Sequence, residues 1–358
     1  MAEELPTPGP RAPDRRRFLR TALWGSGLAG AGGLAGVAAH RLAGRPAAGS
    51  RPPLGREFTY DVSRFQTSDP SLIRWRELGR FASGLERPRH LALTPDGSVL
   101  VCGDGGIRRF EPDGRFLGQI DLEGPVHSVA CLPDGRLLAG RPGRITALSA
   151  SGVPRSDWRP AGDELLPTSI AVAGDEVFVA DARERVVLRL GRDGRPRGEI
   201  GRPDPARGLK GFVVPSPYFT VRMAPDGLLR ITNPGEHRIE AWTRNGDFEI
   251  SWGRASYAVE GFCGCCNPVS IELFPDGGCV TCEKGLPRVK TYDVHGEFTG
   301  LVAGPESFPE YVRAAQAGTP QAASAGIYAA VDAGGRVVVL DAIGGTVRTY
   351  VRKEAGDG

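Results

Sequence analysis

Three cysteines, Cys263, Cys265 and Cys266, stand within four positions in the stretch Gly261-Phe262-Cys263-Gly264-Cys265-Cys266-Asn267-Pro268. Adjacent side chains leave the backbone in different directions, so three sulfurs this close cannot all be inert core atoms. A cluster of this kind binds a soft metal, closes a disulfide or carries out thiol redox chemistry. The chain holds seven cysteines, so at least one thiol is free, metal-bound or paired with another chain. Cys102 and Cys131 fall in regular apolar strands and read as buried small hydrophobes. Cys279-x-x-Cys282 resembles a metal or redox motif in spacing, but both residues sit on one predicted strand. Three residues at ~3.3 Å each separate them by roughly 10 Å and turn them to opposite faces. Cys282 ends that strand, beside the cysteine loop. The expected sulfur set is therefore Cys263, Cys265, Cys266 and Cys282, a quartet able to take zinc, copper or an iron–sulfur cluster. Its C-x-C-C spacing departs from the usual C-x₂-C knuckle. His90, His127 and Glu283 are further candidate ligands, each more often a plain loop or core residue. A disulfide with a spare thiol, and wholly unliganded thiols, stay open beside the metal.

The scaffold that must present this loop is legible in composition and repeats. The 358 residues include 51 Gly and 30 Pro, an excess of turn formers that predicts many short strands. The net charge is only +3 with acids and bases intermixed, and no basic block interleaved with aromatics follows the N-terminal segment. Nucleic-acid binding is not expected. One unit recurs: an apolar strand, an Asp-Gly turn, a second strand, a polar loop, a third strand, another turn and a fourth strand. Its clearest copy begins at His90-Leu91-Ala92-Leu93-Thr94-Pro95-Asp96-Gly97. Asp-Gly suits a tight turn because Gly takes positive φ and Asp caps the local backbone. The units fall at 86–122, 125–159, 167–201, 217–253, 267–303 and 326–354. Four short strands at a period near 40 predict an all-β, six-bladed β-propeller. The sixth unit supplies three strands only. Trp75-Arg76-Glu77-Leu78-Gly79-Arg80-Phe81 resembles a last-strand copy, so the N-terminal strand is expected to close the ring and remove its open edge.

Glu236-His237-Arg238-Ile239 with Trp242 resembles the run typical of NHL repeats, which build six-bladed propellers. The likeness covers residues 74–354 and implies fold more than chemistry. The segments 262–268 and 283–290 resemble those of exported bacterial NHL-repeat proteins, a likeness that carries no activity with it. At the N-terminus, Arg15-Arg16-Arg17-Phe18-Leu19-Arg20 and the Ala/Gly/Leu/Val-rich run 21–39 resemble a bacterial twin-arginine (Tat) signal. Val37-Ala38-Ala39 predicts cleavage after Ala39; uncleaved, the run could just span a bilayer. The expected organisation is a Tat signal peptide at 1–39, a flexible linker at 40–56, the propeller at 57–354 and a disordered tail at 355–358. The protein is then exported, periplasmic or otherwise extracytoplasmic, and tethered to the membrane only through an uncleaved signal. It is expected to be a monomer.

In propellers of the resembling kind, the loops that include 261–268 and 283–288 share one face with the axial mouth. Arg183, Arg185, Arg238, Arg288 and Lys290 would ring that mouth as solvated loop charges. Residues Pro309 to Ala317 could form a short helix over it. Three functions follow. The cysteine loop binds a soft metal or exchanges electrons with an envelope protein or other redox partner. Alternatively, the same face binds a protein, peptide or glycan without chemistry. A propeller lyase or hydrolase would need acids converging on the axis, for which Asp104, Asp181 and Asp341 are the candidates.

Overall fold

The computed structural model describes residues 65–320 and 325–354. The expected signal, linker and tail lie outside them, as do the first residues of the expected propeller range. Six antiparallel sheets follow one another along the chain as the blades of a propeller. Blade two is representative: Ser128–Cys131, Leu137–Arg141, Arg144–Leu148 and Pro154–Trp158 pair in sequence order. Blades three, four and five repeat this with innermost strands Pro167–Ala173, Val221–Met223 and Ser270–Leu273. The second strand of blade two is buried along its length, whereas its outermost strand is exposed except for Trp158. The cores therefore lie between neighbouring blades, where Val, Ile and Leu from facing sheets interlock.

The turns form for the reason their composition suggests. Asp134, Asp193 and Asp226 each accept the backbone N–H two residues on, at 3.0–3.1 Å. The glycine after each takes a φ between +81° and +84°. Blade one departs from the four-strand expectation. Val99–Phe110 runs as one strand whose first half pairs with Pro88–Leu93 and whose second half pairs with Phe116–Pro125. Its connection is too tight for a loop. A Cβ at Gly106 would lie 2.0 Å from the Ile120 carbonyl oxygen, at a φ of +138°, so only glycine fits.

The ring closes through the N-terminal strand. Trp75–Ala82 pairs antiparallel with Thr346–Arg352, beside Val337–Asp341 and Ile327–Val331, which completes blade six. Around the axis, hydroxyls on the innermost strands or just before them reach the next blade. Ser128 donates to the Pro167 carbonyl, Thr168 to Phe219, Thr220 to Val269 and Ser270 to Ile327, at 2.7–3.3 Å. In blades six and one the matching positions hold Tyr328 and His90, paired with Leu340 and Cys102 as Ser270 is with Cys282. Their rings meet edge-on with centroids 5.6 Å apart. No helix among the described residues is long and apolar enough to cross a membrane.

Candidate functional site

Two loops of blade five form the cysteine site. Residues 261–268 lead into Ser270–Leu273, and 283–288 connect Cys279–Cys282 to Val289–Tyr292. The Asn267 amide joins them: its Nδ2 donates to the carbonyls of Cys263 (2.6 Å) and Lys284 (3.0 Å). Its Oδ1 accepts the Lys284 N–H at 2.9 Å. A primary amide satisfies all three groups at once, which no apolar residue could. The loop exits through a cis Asn267-Pro268 bond.

Beneath the loop lies a buried ion cluster. Glu283 is 0% exposed, Lys290 0% and Arg288 4%. One Glu283 oxygen accepts the Cys263 N–H at 2.9 Å. The other meets Arg288 Nε at 2.5 Å and Lys290 Nζ at 3.2 Å. Lys290 also donates to the Gly261 carbonyl at 2.5 Å and lies 4.3 Å from the Phe262 ring centroid. Arg288 donates to the Tyr257 carbonyl at 3.0 Å, while its Nη2 is buried without a hydrogen-bond partner. Burial pushes Lys290 down to about 8, against the pull of Glu283. Arg288 and Lys290 thus anchor the loop from within; they are not solvated charges at the mouth.

The four candidate sulfurs have different surroundings. Cys265 is exposed and Cys266 buried, with their Sγ atoms 3.4 Å apart. The hydrogen bond shared with Cys266, then burial, pushes the Cys265 thiol up, while Lys284 opposes both. Cys263 is buried and pushed up to about 11 by desolvation and Glu283, although Arg288, Lys290 and the Leu286 amide favour its thiolate. Cys282 packs among Val280, Val289 and Val302, and burial pushes it up to about 12. Cys279 lies in a different core, with Ile239, Phe262 and Tyr292. Among the described residues no group of three or more His, Cys, Asp or Glu is gathered closely enough to hold a metal ion. The sulfur contact in this loop is the vicinal pair.

The other candidates are used locally. His90 is buried on the axis and driven down to about 3 by desolvation and Arg222. Asp181 accepts the Leu166 and Arg183 amides, and Asp341 those of Ile343 and Gly344, so both cap their own loops. Asp104 pairs with Arg87 at 2.6 Å and Arg89 at 2.8 Å. Those two arginines line an axial cavity of about 360 Å³ with His127, Tyr218, Phe219 and Tyr328. Burial, then Arg89, pushes His127 down to about 4. Lys284, from the cysteine site, lies 4.4 Å from the Tyr218 ring centroid, so site and cavity adjoin. The helix Pro309–Gln316 is present and packs inward through Tyr311, whose hydroxyl donates to the Ala325 carbonyl at 2.9 Å.

No protein-family model matches the chain, and a search of curated proteins found no match. Solved structures give the fold. A streptogramin B lyase structure is similar at a TM-score of 0.54 and 14% identity, over 80% of this chain and 100% of that one. The WD40 domain of Neurospora crassa Pan2 is similar at 0.52 and 11% identity, over 78% and 96%. At these identities the likeness is one of architecture alone, a β-propeller, and the six blades are those of this chain's own sheets.

Proposed function

We propose that this chain is an exported NHL-type propeller whose loop face presents Cys265 and Cys266 as a dithiol for exchange with a partner disulfide. The observation that carries this is the 3.4 Å contact between one exposed and one buried sulfur, on a loop anchored by Asn267 and Glu283. The exposed Cys265 thiolate attacks one sulfur of the partner disulfide and displaces the other as a thiolate. Cys266, once deprotonated, attacks Cys265 Sγ and releases the second partner sulfur. The dithiol loses two electrons, the partner disulfide gains them, and the two thiol protons pass to the departing thiolates. The twin-arginine-like segment supports an oxidising, extracytoplasmic setting, periplasmic in a bacterium with two membranes, and an envelope protein as partner. A soft ion held by the same two sulfurs is the second reading. It is favoured by the polarisable pair itself and would be a two-sulfur site in place of the four-cysteine set.

The test is equilibration of the purified protein in glutathione redox buffers, followed by alkylation and mass spectrometry. Paired loss of two thiols in the peptide bearing Cys265 and Cys266, abolished in Cys265→Ser and Cys266→Ser, is the expected result. Persistence of both thiols under oxidising poise overturns the exchange reading. Stoichiometric copper, zinc or iron lost in the same variants would establish the soft-ion reading in its place.

A further inference from the structure

We propose that the axial cavity on the loop face binds a small aromatic carboxylate. Its volume of about 360 Å³ lies at the small end of the ~300–1,000 Å³ range of ligand pockets, enough for a fused ring and too little for a folded partner. The walls are aromatic and aliphatic: Tyr218 and Phe219 from blade four, and Tyr328 from blade six. Between the two tyrosines stands Gly326. A Cβ built there would lie 3.0 Å from the Tyr218 ring and 3.1 Å from the Tyr328 ring, so a side chain at this position would press on both rings of the cavity wall. At one side, Arg87 Nε meets Asp104 Oδ2 at 2.6 Å and Arg89 Nη2 meets Asp104 Oδ1 at 2.8 Å.

Two guanidinium groups meet one Asp104 carboxylate at the cavity wall and carry more N–H donors than it can take. Lys284, 4.4 Å over the Tyr218 ring, adds a further cation nearby. Glu86 and Arg87 both lie at the solvent-exposed rim, where water and salt screen them alike, so the less exposed Arg89 is the cation that faces the cavity. His127 is held neutral by burial and adds no charge at pH 7. A planar anion satisfies both features. Its ring packs on the aromatic wall of Tyr218, Phe219 and Tyr328, and its carboxylate takes the N–H donors of Arg87 and Arg89 that Asp104 leaves over. No group in this contact set is a thiol, so the inference stands apart from the exchange reaction.

Calorimetric titration with 2-naphthoate and with its uncharged amide, 2-naphthamide, separates the two features. The wild-type chain is expected to bind the acid tighter than the amide by about ten- to a hundredfold, the range of a hydrogen bond to a charged group. Arg89→Gln should bring the two affinities within about threefold of each other. Arg87→Gln, at the more exposed of the two arginines, should show the same trend and serves if Arg89→Gln is unstable. Gly326→Val should weaken both ligands, with Gly326→Ala as the milder variant and thermal melting as the check of folding. Equal affinity for acid and amide, unchanged binding in Gly326→Val, or no saturable binding of naphthoate would each overturn the proposal.

Discussion

Cys265 is exposed yet poorly activated, because its hydrogen bond with Cys266 and its partial burial stabilise the protonated thiol. Its alkylation by iodoacetamide should be slow at pH 7 and accelerate as pH rises beyond the ordinary thiol range near 9. Removing the largest of these causes, in Cys266→Ala, should lower the Cys265 pKa and speed alkylation near neutrality; peptide-resolved mass spectrometry reads both rates. Glu283 is the opposite kind of residue, with no contact to solvent and three partners. Glu283→Gln leaves Arg288 and Lys290 buried without a counter-charge, which typically costs about 3–5 kcal/mol. The expected outcome in urea is an earlier midpoint with an unchanged slope. The cysteine loop was legible in the sequence, but the contact between Cys265 and Cys266 was not, since adjacent side chains leave the backbone in different directions. The ion cluster was not, since Arg288 and Lys290 read as solvated charges and Glu283 as a candidate ligand or plain loop residue until the loop that covers them is in place. Cys282 was misleading for a related reason: ending a strand near a loop does not turn a side chain away from the blade-to-blade core.

Among the elements, the closing strand Trp75–Ala82 was readable because its aromatic and charged pattern copies the outermost strands, and because three strands in the last unit left an edge open. Trp75 stacks on Phe274 with ring centroids 5.6 Å apart and is almost wholly buried. Trp75→Ala should therefore cost about 3–5 kcal/mol, as for other buried aromatic truncations, and hydrogen exchange should speed up first along Thr346–Arg352. Blade one was harder to read. The pattern gave two strands, 99–102 and 107–110, but not their fusion. That fusion depends on Gly106 lying against the Ile120 carbonyl, a contact 14 residues away in sequence and invisible to local pattern. The blade-five loops fell between these cases: their positions followed from the repeat, whereas the clasp made by Asn267 follows from tertiary packing.

For the molecule as a whole, His90 and His127 make stability depend on pH. Both are neutral in the folded protein, with pKa values pushed to about 3 and about 4 by burial, whereas the unfolded chain titrates near 6.5. Below 6.5 the unfolded state therefore binds more protons, and stability falls as pH drops through the window from about 6.5 toward 4, by up to about 1.4 kcal/mol per unit per histidine. Denaturant melts across this range should show the slope, and His90→Asn should flatten it. The strand that closes the ring has a further consequence for biosynthesis. Glu77 on that strand meets Arg348 at 3.2 Å, a pairing 271 positions apart in sequence. At ~5–20 residues per second, roughly 15–55 seconds separate the synthesis of the two. During that interval the nascent chain carries an unpaired β-edge able to join a neighbouring copy on the same polysome, and shielding it falls to the cell's chaperones.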